Sequence, residues 1–187
     1  YQNSNWSERY VEKRGEFLLF VDQPCSEPLD YPLELQKKED QVVEVPLLGL
    51  KIFSKLMERL SVQMGSCIVI DYGSWDVRHD TVQAVKAHKK VDPLSFPGTA
   101  DLTAHVSFSR YVRQIPSSFQ YAFTTQSRFL RQLGFETLLT LFSRCHRDSS
   151  PDQMKALTDI RQRLLGKGNE DMGELFKVLE VKNYERS

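Results

Sequence analysis

Cysteine is scarce in this sequence and badly placed for crosslinking. Cys25, Cys67 and Cys145 are odd in number and far apart, with no CxxC pair and no Cys/His zinc spacing. Neither a disulfide scaffold nor a structural zinc site is expected, and no metal site is predicted. Long apolar runs are missing too. The longest, Cys67-Ile68-Val69-Ile70, falls far short of the roughly 20 residues that a bilayer-spanning helix needs, so no membrane insertion is expected. Charge of one sign is absent, since 25 Lys and Arg balance 25 Asp and Glu. Nothing in that balance draws the chain to nucleic acid, and no nucleic-acid partner is expected. The motifs GxGxxG, GxSxG and HExxH do not occur. Gly166-Lys167-Gly168 with Gly173 has the wrong spacing for a phosphate loop and follows a helical pattern instead of a strand. His79, His88 and His146 have no ligand partner at helical spacing.

What remains is ordinary globular composition, 40% hydrophobic over 187 residues. A chain of that size buries roughly two-thirds of its unfolded surface, which one compact domain can do unaided. Trp6–Glu12 and Glu16–Val21 read as a hairpin turning at Gly15. From Asp22 to Asp40 prolines and charges break all periodicity, which predicts an exposed loop. The wider stretch 22–44, with seven acids and two Lys, reads as an acidic insertion or linker. After Pro46, Leu50, Phe53, Met57 and Leu60 recur at helical spacing, and Gly65 is a stop signal. Ser66–Asp71 is apolar and β-branched, the pattern of a strand covered on both faces in a parallel sheet. Helix, turn and buried strand together predict an α/β fold.

Further on, Asp80 and Thr81 could cap a short helix reaching His88, and Asp92–Gly98 predicts an irregular loop. Helices are expected at Ser109–Gln114, Gln126–Gly134, Phe135–Cys145 and Pro151–Leu165, with strands at Phe119–Thr124 and Leu175–Val181. Leu102–Phe135 holds four Arg and no acid, interleaved with Tyr111, Tyr121 and Phe129. With zero net charge that stretch is better read as a solvated face than as a nucleic-acid groove.

Two stretches could carry chemistry. In open α/β sheets, ligands bind beyond the carboxyl ends of the strands, and Asp71-Tyr72-Gly73 sits at such an end. Asp71 could bind a ligand or a substrate cation; equally, it could cap the turn while Tyr72 packs. The second stretch is Pro97-Gly98-Thr99-Ala100-Asp101-Leu102-Thr103-Ala104-His105-Val106. There His105 could act as a base with Asp101 orienting it, or Asp101 to Thr103 could simply cap a turn.

These segments also carry a resemblance. Gly65–Gly73, Asp92-Pro93-Leu94 and Pro97–Phe108, with Trp6–Val11, Thr125–Leu130, Leu133-Gly134 and Met172–Leu179 in the same order, resemble the MidA-type methyltransferase family. That family includes a mitochondrial complex I assembly factor that is a protein arginine methyltransferase. The resemblance implies a class I, Rossmann-like fold with S-adenosyl-L-methionine as cofactor. It implies Ser66–Asp71 as a central strand and Leu175–Val181 as the antiparallel strand near the end. It further implies a mitochondrial setting and a complex I subunit as protein substrate, with a homodimer also conceivable.

The family's Gly-rich cofactor loop, ribose-binding acid and Asn-Glu segment all precede the part that Trp6 resembles. The opening residues Tyr1-Gln2-Asn3-Ser4-Asn5-Trp6 are polar and have no signal-peptide order. The expectation is therefore that residues 1–187 form the C-terminal part of one methyltransferase domain, inactive alone, with no main cofactor loop of their own. Asp71, Tyr72, Asp101, Thr103, His105 and Gln126 are the expected substrate-pocket residues, with no catalytic role assigned to any. The alternative is a non-catalytic assembly or interaction module on the same fold.

Overall fold

The computed structural model describes residues 6–25, 42–145, 150–168 and 171–184. They group into two compact units, Tyr1–Val45 with Val77–His105, and Pro46–Asp76 with Val106–Ser187.

The first unit opens with the expected hairpin. Strands β1 (Ser7–Arg14) and β2 (Phe17–Pro24) pair antiparallel from Ser7 opposite Pro24 to Arg14 opposite Phe17, leaving Gly15-Glu16 as the turn. The second strand runs past Val21, so Asp22–Pro24 belong to a strand where a loop is expected, and residues 26–41 of the acidic stretch lie outside the described residues. Asp22 is held there because its carboxylate takes the Arg9 guanidinium at 2.8 Å across the hairpin. The rest of this unit, introduced below in chain order, is a small antiparallel sheet.

The second unit begins with α1 (Leu47–Val62), which buries Leu50, Phe53 and Met57 as their spacing predicts. Strand β3 (Gly65–Ser74) follows. In the first unit come β4 (Gln83–Lys86), β5 (Lys89–Val91) and β6 (Asp101–Thr103), with β4 central and antiparallel to both neighbours. The helix expected from Asp80 to His88 is thus a β-hairpin. Gln83-Ala84-Val85-Lys86 alternates about a buried Ala84, and Ala87 and His88 take φ of 48° and 62°. Two residues of positive φ are what a type I′ hairpin turn requires, although neither is the usual Asn or Gly. Asp101–Thr103, expected as loop, completes the sheet.

The chain returns to the second unit with β7 (Val106–Ser107), α2 (Phe108–Val112), β8 (Gln120–Thr125), α3 (Gln126–Gln132), α4 (Phe135–Cys145), α5 (Pro151–Leu165), α6 (Met172–Leu175) and β9 (Phe176–Asn183). The sheet order is β7-β3-β9-β8. Because β9 is antiparallel to both β3 and β8, those two run the same way, and β7 joins β3 in parallel. The core on one face is Phe53, Met57, Phe108, Leu179 and Val181. Helix α5 starts where Ser150 and Gln153 form a reciprocal capping box ahead of Pro151.

One expectation about β3 fails. The strand is not covered on both faces: Cys67 and Val69 pack against the core, while Ile68 and Ile70 are 49% and 48% exposed. Its neighbour over most of its length is the antiparallel β9, and the parallel pairing is confined to Gly73 and Ser74. A continuous apolar run therefore came from a strand with one covered face and one uncovered one.

Candidate functional site

In the second unit, β3, β7 and β8 point their carboxyl ends in one direction, so the ends at Tyr72–Ser74, Ser107 and Thr125 gather on one side of the sheet. Gly73 makes the junction. Its φ is 155°, and a Cβ there would run into the Val106 backbone, so only glycine lets β7 approach this closely.

Asp71 lies half-buried opposite Lys177, which lies in turn opposite Thr125, so the three share a row across the sheet. One Asp71 oxygen, Oδ1, accepts from the Tyr72 amide at 2.8 Å. The Tyr72 ring meets Phe176 edge-on, with centroids 5.6 Å apart. Lys177 turns its ammonium toward the Glu174 and Leu175 carbonyls at the end of α6. Burial pushes its pKa down, against a smaller upward pull from Glu174. Gln126 is buried, and its side-chain amide donates to the Leu164 carbonyl at 3.1 Å, while Ser127 donates to the Leu165 carbonyl at 2.9 Å. Both tie off the carboxyl end of α5, so the Gln126 side chain serves packing between α3 and α5.

The sequence reading did not single out the polar group just beyond β3. Ser74 Oγ donates to the Asp76 carbonyl at 2.8 Å, Ser107 Oγ reaches Asp76 Oδ1 at 3.5 Å, and the Ser107 and Ser109 hydroxyls lie 3.4 Å apart. The Ser109 amide donates to the Trp75 carbonyl, and Arg110 is buried beside it. A buried Phe108 between two buried serines was the available signal. Serines carry no periodicity, however, and only the β3–β7 crossover brings Asp76 to them.

Asp101, Thr103 and His105 belong to the first unit. Asp101 is exposed opposite Val85, and Thr103 is half-buried opposite Gln83. The His105 amide donates to Thr81 Oγ1 at 2.9 Å, and the Thr81 hydroxyl and amide both donate to the Glu44 carboxylate. Glu44 thereby anchors the loop that carries His105. The lone-looking His88 sits on the β4–β5 turn.

The glycines after α5 are taken up by close packing: a Cβ on Gly166 would strike Asp171 and Gln162, and one on Gly173 would strike the Gly166 carbonyl. Asp171 itself is committed to the Gln162 amide and the Gly168 amide, at 2.6 and 2.8 Å. No group of three or more His, Cys, Asp or Glu that could hold a metal occurs among the described residues. No helix among them is long and apolar enough to cross a membrane. What this site offers is carboxylates and hydroxyls at strand ends, the means to hold a cationic group.

A sequence model of S-adenosyl-L-methionine-dependent methyltransferases matches residues 1–118. The chain belongs to this family, the MidA-type methyltransferases. It is 27% identical over 187 residues to the mitochondrial protein arginine methyltransferase NDUFAF7 of Mus musculus, covering 97% of this chain and 41% of that one. The Bos taurus protein of the same name is 30% identical over 90% of this chain and 37% of its own. A crystal structure from Burkholderia thailandensis bound to S-adenosyl-homocysteine superposes with a TM-score of 0.77 at 25% identity, over 97% of this chain and 48% of that one. A second structure from that organism gives 0.79 at 24% identity, over 97% and 50%. The fold of this MidA-type chain is therefore the Rossmann-like, class I methyltransferase fold, with the antiparallel strand where the resemblance implies it. The chain spans about two-fifths of the length of these curated relatives and about half of the solved ones.

Proposed function

We propose that this chain forms the substrate-side part, the C-terminal portion, of an S-adenosyl-L-methionine-dependent protein arginine methyltransferase. The observation that carries the reading is the methyltransferase family match over residues 1–118, supported by relatives named as mitochondrial arginine methyltransferases. The geometry agrees with it. An arginine substrate brings a guanidinium that needs carboxylates to hold and orient it, and Asp71 and Asp76 stand at and just beyond the carboxyl end of β3. Tyr72 beside Asp71 offers an aromatic wall, whereas Gln126 acts through packing; Asp101, Thr103 and His105, on the first unit, are substrate candidates on the sequence alone. The substrate is a protein, and by the family resemblance a subunit of respiratory complex I, met inside the mitochondrion.

Calorimetric titration of S-adenosyl-L-methionine into this chain, and into a form carrying a Gly-rich cofactor segment, tests the reading. Binding by the extended form, with transfer of labelled methyl to an arginine peptide, is the expected result. No binding and no transfer by either form would overturn it.

A non-catalytic assembly module is the second reading, favoured by the close packing of the glycines after α5, which ties them to Asp171 and Gln162. Under it, complex I assembly persists when cofactor binding is abolished in the extended form.

A further inference from the structure

Just past the carboxyl end of β3, at Trp75, a large aromatic side chain is 46% exposed. Its setting is not that of a loose surface residue. The Trp75 ring meets the Phe123 ring edge-on, with centroids 5.3 Å apart, and Phe123 in turn packs at 5.2 Å against Phe108, which is fully buried. The backbone is fixed as well, because the Ser109 amide donates to the Trp75 carbonyl at 2.7 Å. An indole braced by a second ring keeps part of its surface open to solvent with little freedom to turn away, so a ligand laid on it costs little ordering entropy.

The same face of the sheet carries a carboxylate without a cation. Val69 packs against the core, and alternation along β3 puts Asp71 on that face two residues on. Phe123, directly opposite the buried Leu179, lies there too, so Asp71 and the ring that braces Trp75 share a face at one end of the sheet. Asp71 Oδ1 is taken by the Tyr72 amide, whereas Oδ2 has no hydrogen bond among the described residues. The side chain placed to neutralise it is Lys177, its direct cross-strand partner, but that ammonium is committed to the Glu174 and Leu175 carbonyls. A half-buried carboxylate opposite a lysine that turns elsewhere is a seat for a cation from outside.

The chemistry of that cation follows from the pair. An ammonium is a compact, strongly hydrated point charge, whereas a guanidinium is flat and weakly hydrated, and can stack on a ring while the donors on its edge reach an oxygen. An indole and a carboxylate on one face match the guanidinium. We infer that Trp75 is the specificity-determining residue for the arginine side chain, a platform on which the guanidinium stacks while Asp71 Oδ2 accepts from its edge. This deepens the arginine methyltransferase reading and rests on it for the protein that carries the arginine.

A short glycine-flanked arginine peptide and its lysine counterpart, titrated without cofactor into the 187-residue chain and followed through the peptide protons by NMR, supply the test. The expected result is a saturable upfield shift of the arginine δ-methylene protons, the ring-current mark of stacking on indole, with the lysine peptide binding about fivefold more weakly. Trp75→Phe keeps a reduced shift and Trp75→Leu abolishes it. Asp71→Asn, which preserves an acceptor for the Tyr72 amide, weakens binding about tenfold. Far-UV circular dichroism stays unchanged in all three variants. A shift that survives in Trp75→Leu overturns the inference, as does equal binding of the two peptides or no binding of either. If the shift behaves as expected but the form carrying a Gly-rich cofactor segment transfers no methyl to the arginine peptide, the guanidinium seat stands and the methyltransferase reading falls. If transfer occurs with a KM for the peptide that Trp75→Leu leaves unchanged, that reading stands and the inference falls.

Discussion

The two units build β-structure on opposite economies of burial. In the second, Phe53, Phe108, Leu179, Val178 and Val181 are fully buried, and residues of α1, α2 and β9 share one core. In the first, the β1–β2 ribbon buries no residue, and Ala84 anchors the small sheet beside it. Order there comes from polar links instead: Arg9 to Asp22 and Asp80, and Glu44 through Thr81 to the His105 amide. Packing gives a rigid platform with strand ends fixed in register, whereas polar links give a surface whose geometry depends on a few individual bonds. The candidate residues divide along that line, with Asp71 and Tyr72 on the platform and Asp101, Thr103 and His105 on the linked unit.

Removing a core ring should separate the two most sharply. Phe108→Ala is expected to cost about 3–5 kcal/mol and to speed amide exchange at Leu179 and Val181, while the Ala84 amide keeps its protection. Equal loss at both places would show that the units share one cooperative core. Gly73→Ala comes next, at about 1–3 kcal/mol for a non-glycine residue held at an unfavourable φ against the β7 backbone, and denaturant midpoints measure it. Because the strain sits at the β3–β7 junction, Asp71 and the Asp76 carboxylate with the Ser107 and Ser109 hydroxyls should move with it, and labelled-methyl transfer by the extended form should fall by more than the stability loss explains.

The linked unit should answer to a hydroxyl. Thr81→Val removes the acceptor for the His105 amide and the hydroxyl bond to Glu44, at about 1–2 kcal/mol, and Thr81→Ser should restore most of it. Exchange of the His105 amide is the direct reading. If Thr81→Val leaves that amide protected, the anchoring role of Glu44 is wrong.

Much of the platform was legible because burial imposes a period. The spacing of Leu50, Phe53 and Met57 gave α1, the expected helix at Pro151–Leu165 is α5, and the run Ser66–Asp71 gave the heart of β3. The same run also misled. Continuous apolarity signals two covered faces, but Ile68 and Ile70 are half exposed. In the linked unit the signals are weaker in kind. Ala87-His88 lacks the Asn or Gly that announces a type I′ turn, so β4 and the turn after it read as a helix. Asp-Leu-Thr at 101–103 is as good a turn as a strand until β4 lies beside it. The site was half legible for the same reason: Asp71 stands at a strand end that can be read locally, whereas Asp76, Ser107 and Ser109 meet only through a crossover.

Titration probes the platform's interior. The Lys177 pKa is lowered below its ordinary 10.5 by burial, so the unfolded chain holds that proton more tightly, and stability rises with pH between the lowered value and 10.5. Burial raises the Cys67 thiol above its ordinary 9.0, so stability falls as pH climbs from 9.0 through the raised value. The two slopes oppose each other. Lys177→Met should remove the rise and Cys67→Ala the fall in midpoints measured from pH 8 to 11, and a flat profile in the parent chain with no change in either variant would contradict both burials.

The smallest expected effect lies on the ribbon. Arg9 and Asp22 are each 47% exposed in their side chains, so their ion pair is worth about 0.2–1 kcal/mol and fades with salt. Its signature is clearer in the titration than in the stability. The bond from Arg9 holds the Asp22 carboxyl below its ordinary range, against a weaker upward push from desolvation. The pair's contribution is therefore complete above the ordinary carboxylate range and is lost as pH falls through the lowered value. Arg9→Ala should return the Asp22 carboxyl, followed by carbon-detected NMR, to the ordinary range and free the Phe20 ring, over which the guanidinium sits at 5.5 Å. Restoration without a measurable change in midpoint would mean that the cross-strand backbone ladder alone sets the ribbon's geometry. A shift of more than about 1 kcal/mol would mean that the link from Arg9 to Asp80 holds the ribbon to the rest of its unit.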